Sequence, residues 1–153
     1  MEILASWNKA TRIPWGRFLF HRTIRRFVPY TGTVRPRILS LERGQARVAM
    51  NDRRRIHNHL NSIHAIALAN LGEFATGLAL LTALPAGRRA ILVELRVQYL
   101  HKARGRIIAE AAWQPDGEPD GEPVVQGRLH DEDGHHVATV EATWKVGASN
   151  ESR

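Results

Sequence analysis

The stretch Asn58 to Gly77, NHLNSIHAIALANLGEFATG, sets three polar side chains, Asn58, His64 and Glu73, into a run otherwise made for burial. They stand six and nine residues apart. From Ser62 onward the run predicts one helix of about six turns, stopped by the Leu84-Pro85 step, where proline removes a donor and restricts the residue before it. Ala, Leu, Ile and Gly dominate, so apolar residues fall on every side instead of in a stripe. Such a helix is enclosed by its own protein or crosses a membrane, and Glu73 in the middle of it needs a physical reason.

Downstream the hydrophobic period shortens to two. Ala90–Ala103 (AILVELRVQYLHKA) and Arg104–Gln114 (RGRIIAEAAWQ) predict two strands joined by a tight turn near Ala103 to Gly105. The repeated unit DGEPDGEP, Asp116 to Pro123, buries nothing and predicts an exposed hairpin loop. Val124 onward, VVQGRLHDEDGHHVATVEATWKV, predicts two more strands turning at Asp133-Gly134. Upstream, Ile38–Asp52 alternates on both sides of Gly44 and predicts a half-buried strand with a turn or bulge there. One long helix followed by four hairpin-linked strands buries both of its sides only if the sheet curls around it, which implies an α+β domain.

The chain has 153 residues, enough for one core that hides roughly 68 to 70% of the unfolded surface. It has no cysteine, which excludes disulfides, thiolate catalysis and cysteine-ligated metal centres. Residues 1 to 60 carry 13 Lys/Arg against 3 Asp/Glu, a net +10, whereas the remainder balances at −3. That asymmetry suits an anionic partner or a solvated basic surface. Arg17–Val28, RFLFHRTIRRFV, predicts a helix closed by Pro29, with Leu19, Phe20, Ile24, Phe27 and Val28 near one face and Arg17, Arg22, Arg25 and Arg26 on the other. Residues 31 to 37 predict an extended connector. The expected division is a helical extension and connector at 1–37, the main domain at 38–147 and a frayed tail at 148–153. No secretory signal pattern opens the chain, so a cytoplasmic location is expected.

Strand, loop with Asn58, His64 at a helix start, Glu73 nine residues on, and four further strands together resemble the hotdog-fold acyl-CoA thioesterase superfamily. In its branch with a single hotdog domain per chain, the typical run is Asn, a spacer, Gly, two residues, His-Gly-Gly, then Asp or Glu nine residues after the His. Asn58, His64 and Glu73 hold those three positions. The basic preface, the wording NHLNSIHAIAL and the strand YLHKARG also resemble a thioesterase-like branch known as a domain of unknown function. The resemblance covers almost the whole chain. It implies a hotdog fold, a curled antiparallel sheet wrapped around one long central helix, here with an N-terminal helical extension. It further implies a homodimer or tetramer in which Glu73 of one subunit faces Asn58 and His64 of another, and an acyl-CoA or related thioester as substrate. No cofactor is implied beyond the coenzyme A moiety of that substrate.

Thioester hydrolysis needs a water or carboxylate aimed at the carbonyl carbon and donors aimed at the developing oxyanion. The resemblance implies Glu73 as general base or nucleophile, Asn58 orienting substrate or water, and His64 beside the thioester. Backbone N–H groups of Ala65 or Ile66 would polarise the carbonyl. His64-Ala65-Ile66 stands where active relatives have His-Gly-Gly, Asn61 where they have the preceding Gly, and Leu92 near a strand position that carries a hydroxyl in some of them. Arg53, Arg54 and Arg55, with Lys102 and Arg104, suit the phosphates of coenzyme A and equally a solvated turn.

Other readings compete. The same pocket serves a non-catalytic acyl-CoA or acyl-lipid binding protein. The helix Arg17–Val28 has the residue types of an interfacial membrane helix, although such a face more often packs on its own protein. A true span at residues 62 to 84 is disfavoured, since an acid at the centre costs about 2.5 to 3.5 kcal/mol on insertion scales. Nucleic-acid binding finds neither a reading motif nor an aromatic stacking platform. His57, His59 and His64 offer metal ligands without an acidic partner at conventional spacing, so no metal is expected.

Overall fold

The two hydrophobic periods become two kinds of element in a computed structural model, which describes residues 3–117 and 120–148. Helices α1 (Ile3–Thr11) and α2 (Gly16–Phe27) precede a hairpin of β1 (Arg37–Glu42) and β2 (Gln45–Met50). The apolar run forms α3 (Ala65–Ala83), and β3 (Arg88–Tyr99), β4 (Ile107–Ala112), β5 (Val124–His130) and β6 (His136–Ala148) follow. All six strands join one antiparallel sheet in the order β1-β2-β4-β5-β6-β3. Inner-face residues such as Val48, Met50, Ile107, Leu129 and Val140 are fully buried, and 14 residues of α3 are buried with them. This is the expected α+β architecture of a curled sheet around a central helix. By length and composition α3 could cross a membrane, yet its burial comes from the sheet that wraps it.

Several local expectations need correction. The half-buried strand read over Ile38–Asp52 is a hairpin, turned at Gly44 with φ of 75°. β3 and β4 are not hairpin partners: β3 pairs with β6 from Arg88↔Ala148 to Tyr99↔Ala138, whereas β4 pairs with β2. The linking residues dock elsewhere instead of closing a turn. The Ile63 N–H donates to the Ala103 carbonyl at 3.0 Å, and the Gly105 N–H donates to Asp52 Oδ2 at 2.9 Å. The connector over residues 31 to 37 opens with a 3-10 turn, Thr31–Thr33. Helix α3 begins at Ala65 instead of Ser62, because His64 takes an extended backbone and caps it. The DGEPDGEP loop lies between β4 and β5, with Glu118 and Pro119 outside the described residues; so is the tail beyond Ala148.

Close approach of helix to sheet rests on two glycines. A Cβ at Gly72 would stand 2.3 Å from Val140 Cγ2, and one at Gly77 would stand 3.0 Å from the Trp144 ring. Among the described residues of α3, Ile66 and Leu81 are exposed and Glu73 half-buried. At spacings of seven and eight residues these three recur on one side of the helix, a partly open stripe interrupted by the buried Asn70 and Gly77.

The N-terminal extension belongs to the main core. Trp7 is buried, with the Phe20 ring edge-on at 5.3 Å and the Arg17 guanidinium 5.5 Å from its ring centre. His21 Nε2 accepts the Ile38 N–H at 2.8 Å, tying α2 to the start of β1, and burial pushes the His21 pKa down. The buried face of α2 is not the apolar face expected from the sequence. Gly16 and Phe20 are buried and Ile24 half-buried, whereas Leu19, Phe27 and Val28 are exposed. The reason is Gly16: a Cβ there would lie 2.2 Å from the Ala10 carbonyl oxygen, so α2 turns its bare backbone onto the end of α1.

Candidate active site around the loop before the central helix

Residues 51 to 64 lead from β2 into α3, and side chains hold their shape. Asn58 Oδ1 accepts the N–H of Leu60 at 2.9 Å, the N–H of Ser62 at 3.3 Å and the Ser62 hydroxyl at 3.1 Å. Its oxygen is therefore committed to the loop, while among the described residues its Nδ2 donors have no partner. Asn61 has φ of 52°, in the left-handed region that Asn tolerates better than most residues. The loop thus keeps at Asn61 a backbone that glycine would also adopt, which is a physical account of the Gly-to-Asn departure.

Asp52, not singled out in the sequence, and His57, weighed there only as a metal ligand, brace this loop. The His57 ring bonds on one side to Asp52 Oδ1 and on the other to Asn61 Oδ1, the latter at 3.2 Å. Asp52 Oδ2 takes the Gly105 N–H, so the carboxylate joins the loop to the segment after β3. A carboxylate five residues before a histidine is too common a pattern to have flagged the pair. Tyr99 adds a further strut, its hydroxyl donating to the Ala65 carbonyl at 3.0 Å.

His64 stands at the N-cap of α3, exposed, with Nδ1 accepting the Ile66 N–H at 3.1 Å. That bond leaves Nε2 as the donor of the neutral ring. It also engages Ile66, one of the two backbone donors proposed for the oxyanion. The Ala65 N–H has no acceptor among the described residues and lies at the positive end of the helix dipole. The Ile66 side chain projects outward.

Glu73 sits half-buried on the open stripe of α3, and burial pushes its pKa up. Its carboxylate has no hydrogen-bond or ion-pair partner among the described residues. Nine residues of α-helix separate it from His64, a rise of about 13 Å. Within one chain the two therefore do not meet, while Asn58 and His64 share one loop end.

The five cationic residues divide. Arg53 Nη2 donates to the Thr33 carbonyl at 3.1 Å and Arg104 Nε to the Asn61 carbonyl at 3.3 Å, so both clamp the loop. Arg54, Arg55 and Lys102 are exposed and without partners among the described residues. Elsewhere, Asp131, Asp133 and His135 bring ligand atoms within 4.8 Å of one another on the β5–β6 turn, but Asp131 is taken up with the His135 ring at 3.0 Å and the turn's N–H groups. A cleft of about 480 Å³ on the outer sheet face is lined by Arg47, Glu110, Gln126 and Arg128 among others, and none of the candidate site residues reaches it.

Comparison with known proteins places this arrangement. A structural-genomics crystal structure, target APC5556, is 32% identical with a TM-score of 0.84, over 97% of this chain and 99% of that one. A Pseudomonas aeruginosa protein of unknown function, described as a probable thioesterase, is 26% identical with a TM-score of 0.72, over 90% and 97% of the two chains. A mutant thioesterase enzyme from Staphylococcus aureus shares the fold at 18% identity, TM-score 0.70, over 77% and 98%. No curated protein matches the sequence. Residues 16–146 match the family described as Domain of unknown function (DUF4442), and the chain belongs to that hotdog-fold, thioesterase-like family.

Proposed function

We propose that the protein is an acyl-CoA thioesterase that works as a homodimer or tetramer, with Glu73 of one subunit completing the Asn58–His64 loop of another. The observation that carries this reading is the partnerless, half-buried Glu73 on the partly open stripe of α3. A carboxylate pushed up by burial and left unpaired is poised as a base, and the stripe around it is the part of the helix a second copy would cover. The thioesterase-like relatives support the same reaction class.

In the reaction so read, a water adds to the thioester carbonyl carbon as its proton passes to the Glu73 carboxylate. The carbonyl electron pair moves onto oxygen, stabilised by the Ala65 N–H and the helix dipole. Collapse expels the thiolate, which takes the proton back from Glu73, leaving a free acid and a thiol. If Glu73 is instead the nucleophile, a mixed anhydride forms and water then cleaves it; single turnover in heavy-oxygen water would leave label in Glu73 only by that route. Asn58 Nδ2 is the free donor for substrate or water. Arg54, Arg55 and Lys102 are the cations available for coenzyme A phosphates, and Arg53 and Arg104 act by holding the loop.

One observation favours a second reading, acyl-CoA or acyl-lipid binding without turnover: with Ile66 N–H held by His64, a single backbone donor remains for an oxyanion. Removing one such donor typically costs about 100- to 1,000-fold in rate. Release of free thiol from short, long and aromatic acyl-CoAs, compared between the wild type and Glu73→Ala, decides between them. Turnover that falls by about 100-fold or more in the variant supports the hydrolase. A folded, oligomeric wild type that binds acyl-CoA and releases no thiol from any of them leaves the binding protein.

A further inference from the structure

The outward face of α2 brings exposed aromatic and aliphatic side chains together with exposed arginines. Trp15, Phe18 and Leu19 are 82%, 57% and 57% exposed, and Arg22 and Arg26 are exposed one and two turns further on. Trp15 immediately precedes the helix, and within α2 steps of one, three and four residues keep Phe18, Leu19, Arg22 and Arg26 on one stripe turned away from the buried Gly16 and Phe20. Its first half is aromatic and aliphatic, its second half cationic. Ile13, at 60% exposed, and Arg12 extend the apolar and cationic sets onto the turn between the helices.

Two further observations bear on what covers this stripe. Residues 3 to 41 contain eight Lys or Arg and no Asp or Glu, so nothing local neutralises the arginines; neither Arg22 nor Arg26 has an ion-pair partner among the described residues. Trp15 has φ of 64° and makes no side-chain cap for α2. It is 82% exposed at the tip of the turn between the two helices.

We propose that the α1–α2 extension docks the protein on an anionic lipid bilayer, with Trp15, Phe18 and Leu19 entering the headgroup boundary and Arg22 and Arg26 holding acidic headgroups. Charge complementarity selects lipid: an uninterrupted cationic segment beside an aromatic-aliphatic tip is the composition of an interfacial helix. The stripe lies apart from Asn58, His64 and Glu73, so this inference stands whether or not the thioester reading does.

The test is flotation of the full chain with phosphatidylcholine vesicles, with and without phosphatidylglycerol, across a salt series. Binding is expected only with the anionic lipid and should weaken as salt rises. Trp15→Ser/Phe18→Ser should abolish it with the circular dichroism spectrum unchanged. Arg22→Ala/Arg26→Ala should weaken it by about 25-fold, each arginine contributing about fivefold. Trp15 fluorescence, taken as the difference from Trp15→Phe, should shift to the blue on vesicles. Absence of flotation on phosphatidylglycerol vesicles at low salt would overturn the proposal. So would binding that the Trp15/Phe18 pair does not affect, which is diffuse cationic attraction, or a fall in oligomeric mass in that pair without lipid binding, which makes the stripe a contact between copies. Thiol release from a soluble acyl-CoA should be unchanged in the Trp15/Phe18 variant.

Discussion

Helices α2 and α3 are both written in apolar residues, yet they use them in opposite ways. In α3 the apolar residues surround the axis, and the sheet wraps most of them: the fully buried Leu71 and Leu80, nine residues apart, point to opposite sides. In α2 the buried line runs through Gly16 and Phe20, and most of the large apolar side chains remain in solvent. For α3, burial follows from composition alone, because a helix apolar on all sides has only enclosed solutions in a water-soluble fold. For α2, which face is buried follows from shape, since the bare Gly16 backbone fits the end of α1 where a larger residue would collide.

Two neighbouring residues of α2 should differ most in what their loss costs. Phe20→Ala should destabilise the protein by about 3 to 5 kcal/mol, because the ring fills the core beside Trp7. Leu19→Ala should stay within about 0.5 kcal/mol, because its side chain is in solvent. Urea denaturation of the two variants reads both numbers, and equal losses would show that α2 is rotated from the position described.

On α3 the corresponding probe is Gly72→Ala. Alanine gains about 0.8 to 1 kcal/mol of helix propensity over glycine, and on an exposed helix that term would win. Here the added Cβ would meet Val140 Cγ2 at 2.3 Å, against the rigid branched residue of β6. Overpacking typically costs about 1 to 3 kcal/mol, so net destabilisation of that order is expected, and a rise in stability would show that helix and sheet are less tightly apposed.

The same contrast explains what could be read from residues alone. The α+β architecture was legible because burial writes an alternation of two residues into each strand and an unbroken apolar run into the enclosed helix, and both act locally along each element. The pairing of β3 with β6 was not, since AILVELRVQYL carries the same alternation whichever strand lies beside it, and Gly105 looks like a turn whether it closes a hairpin or binds Asp52. At the candidate site, Asn58, His64 and Glu73 stand out by a spacing that resembles the thioesterase run. The division of labour among them was not legible, because it depends on hydrogen bonds: His64 holding the Ile66 N–H, Asn58 giving its oxygen to the loop, and His57 braced by Asp52.

Glu73 sharpens the comparison by pH. Burial raises its folded-state pKa above the unfolded value, so the folded protein holds this proton more tightly than the unfolded chain does. Stability contributed by the neutral carboxyl is therefore present at acidic pH and lost as pH rises from the ordinary carboxylate range through the raised value. Glu73→Gln should match the wild type at the acid end and exceed it at neutral pH, by an amount that levels off once the wild-type carboxyl is ionised. Solvent on the open stripe keeps that amount below the Gly72 effect. A difference that does not change with pH would mean that the carboxylate already has a partner.

The smallest effect is expected at Asn70, three residues before Glu73 and a buried amide on α3. Its Nδ2 reaches the Thr31 hydroxyl across 3.5 Å, a long bond, and its Oδ1 is buried without a partner. An amide that satisfies so little of its capacity gives back almost nothing for its own desolvation, so Asn70→Leu, of similar shape, should change stability by less than about 1 kcal/mol in either direction. Its value lies in setting the buried amide and the half-buried carboxylate of α3 side by side. Glu73→Ala should remove thiol release, whereas Asn70→Leu should leave kcat and KM as they are if the amide only joins α3 to the extension. A fall in kcat with stability unchanged would instead make Asn70 a positioning residue, whose lone buried oxygen awaits a partner carried in by substrate.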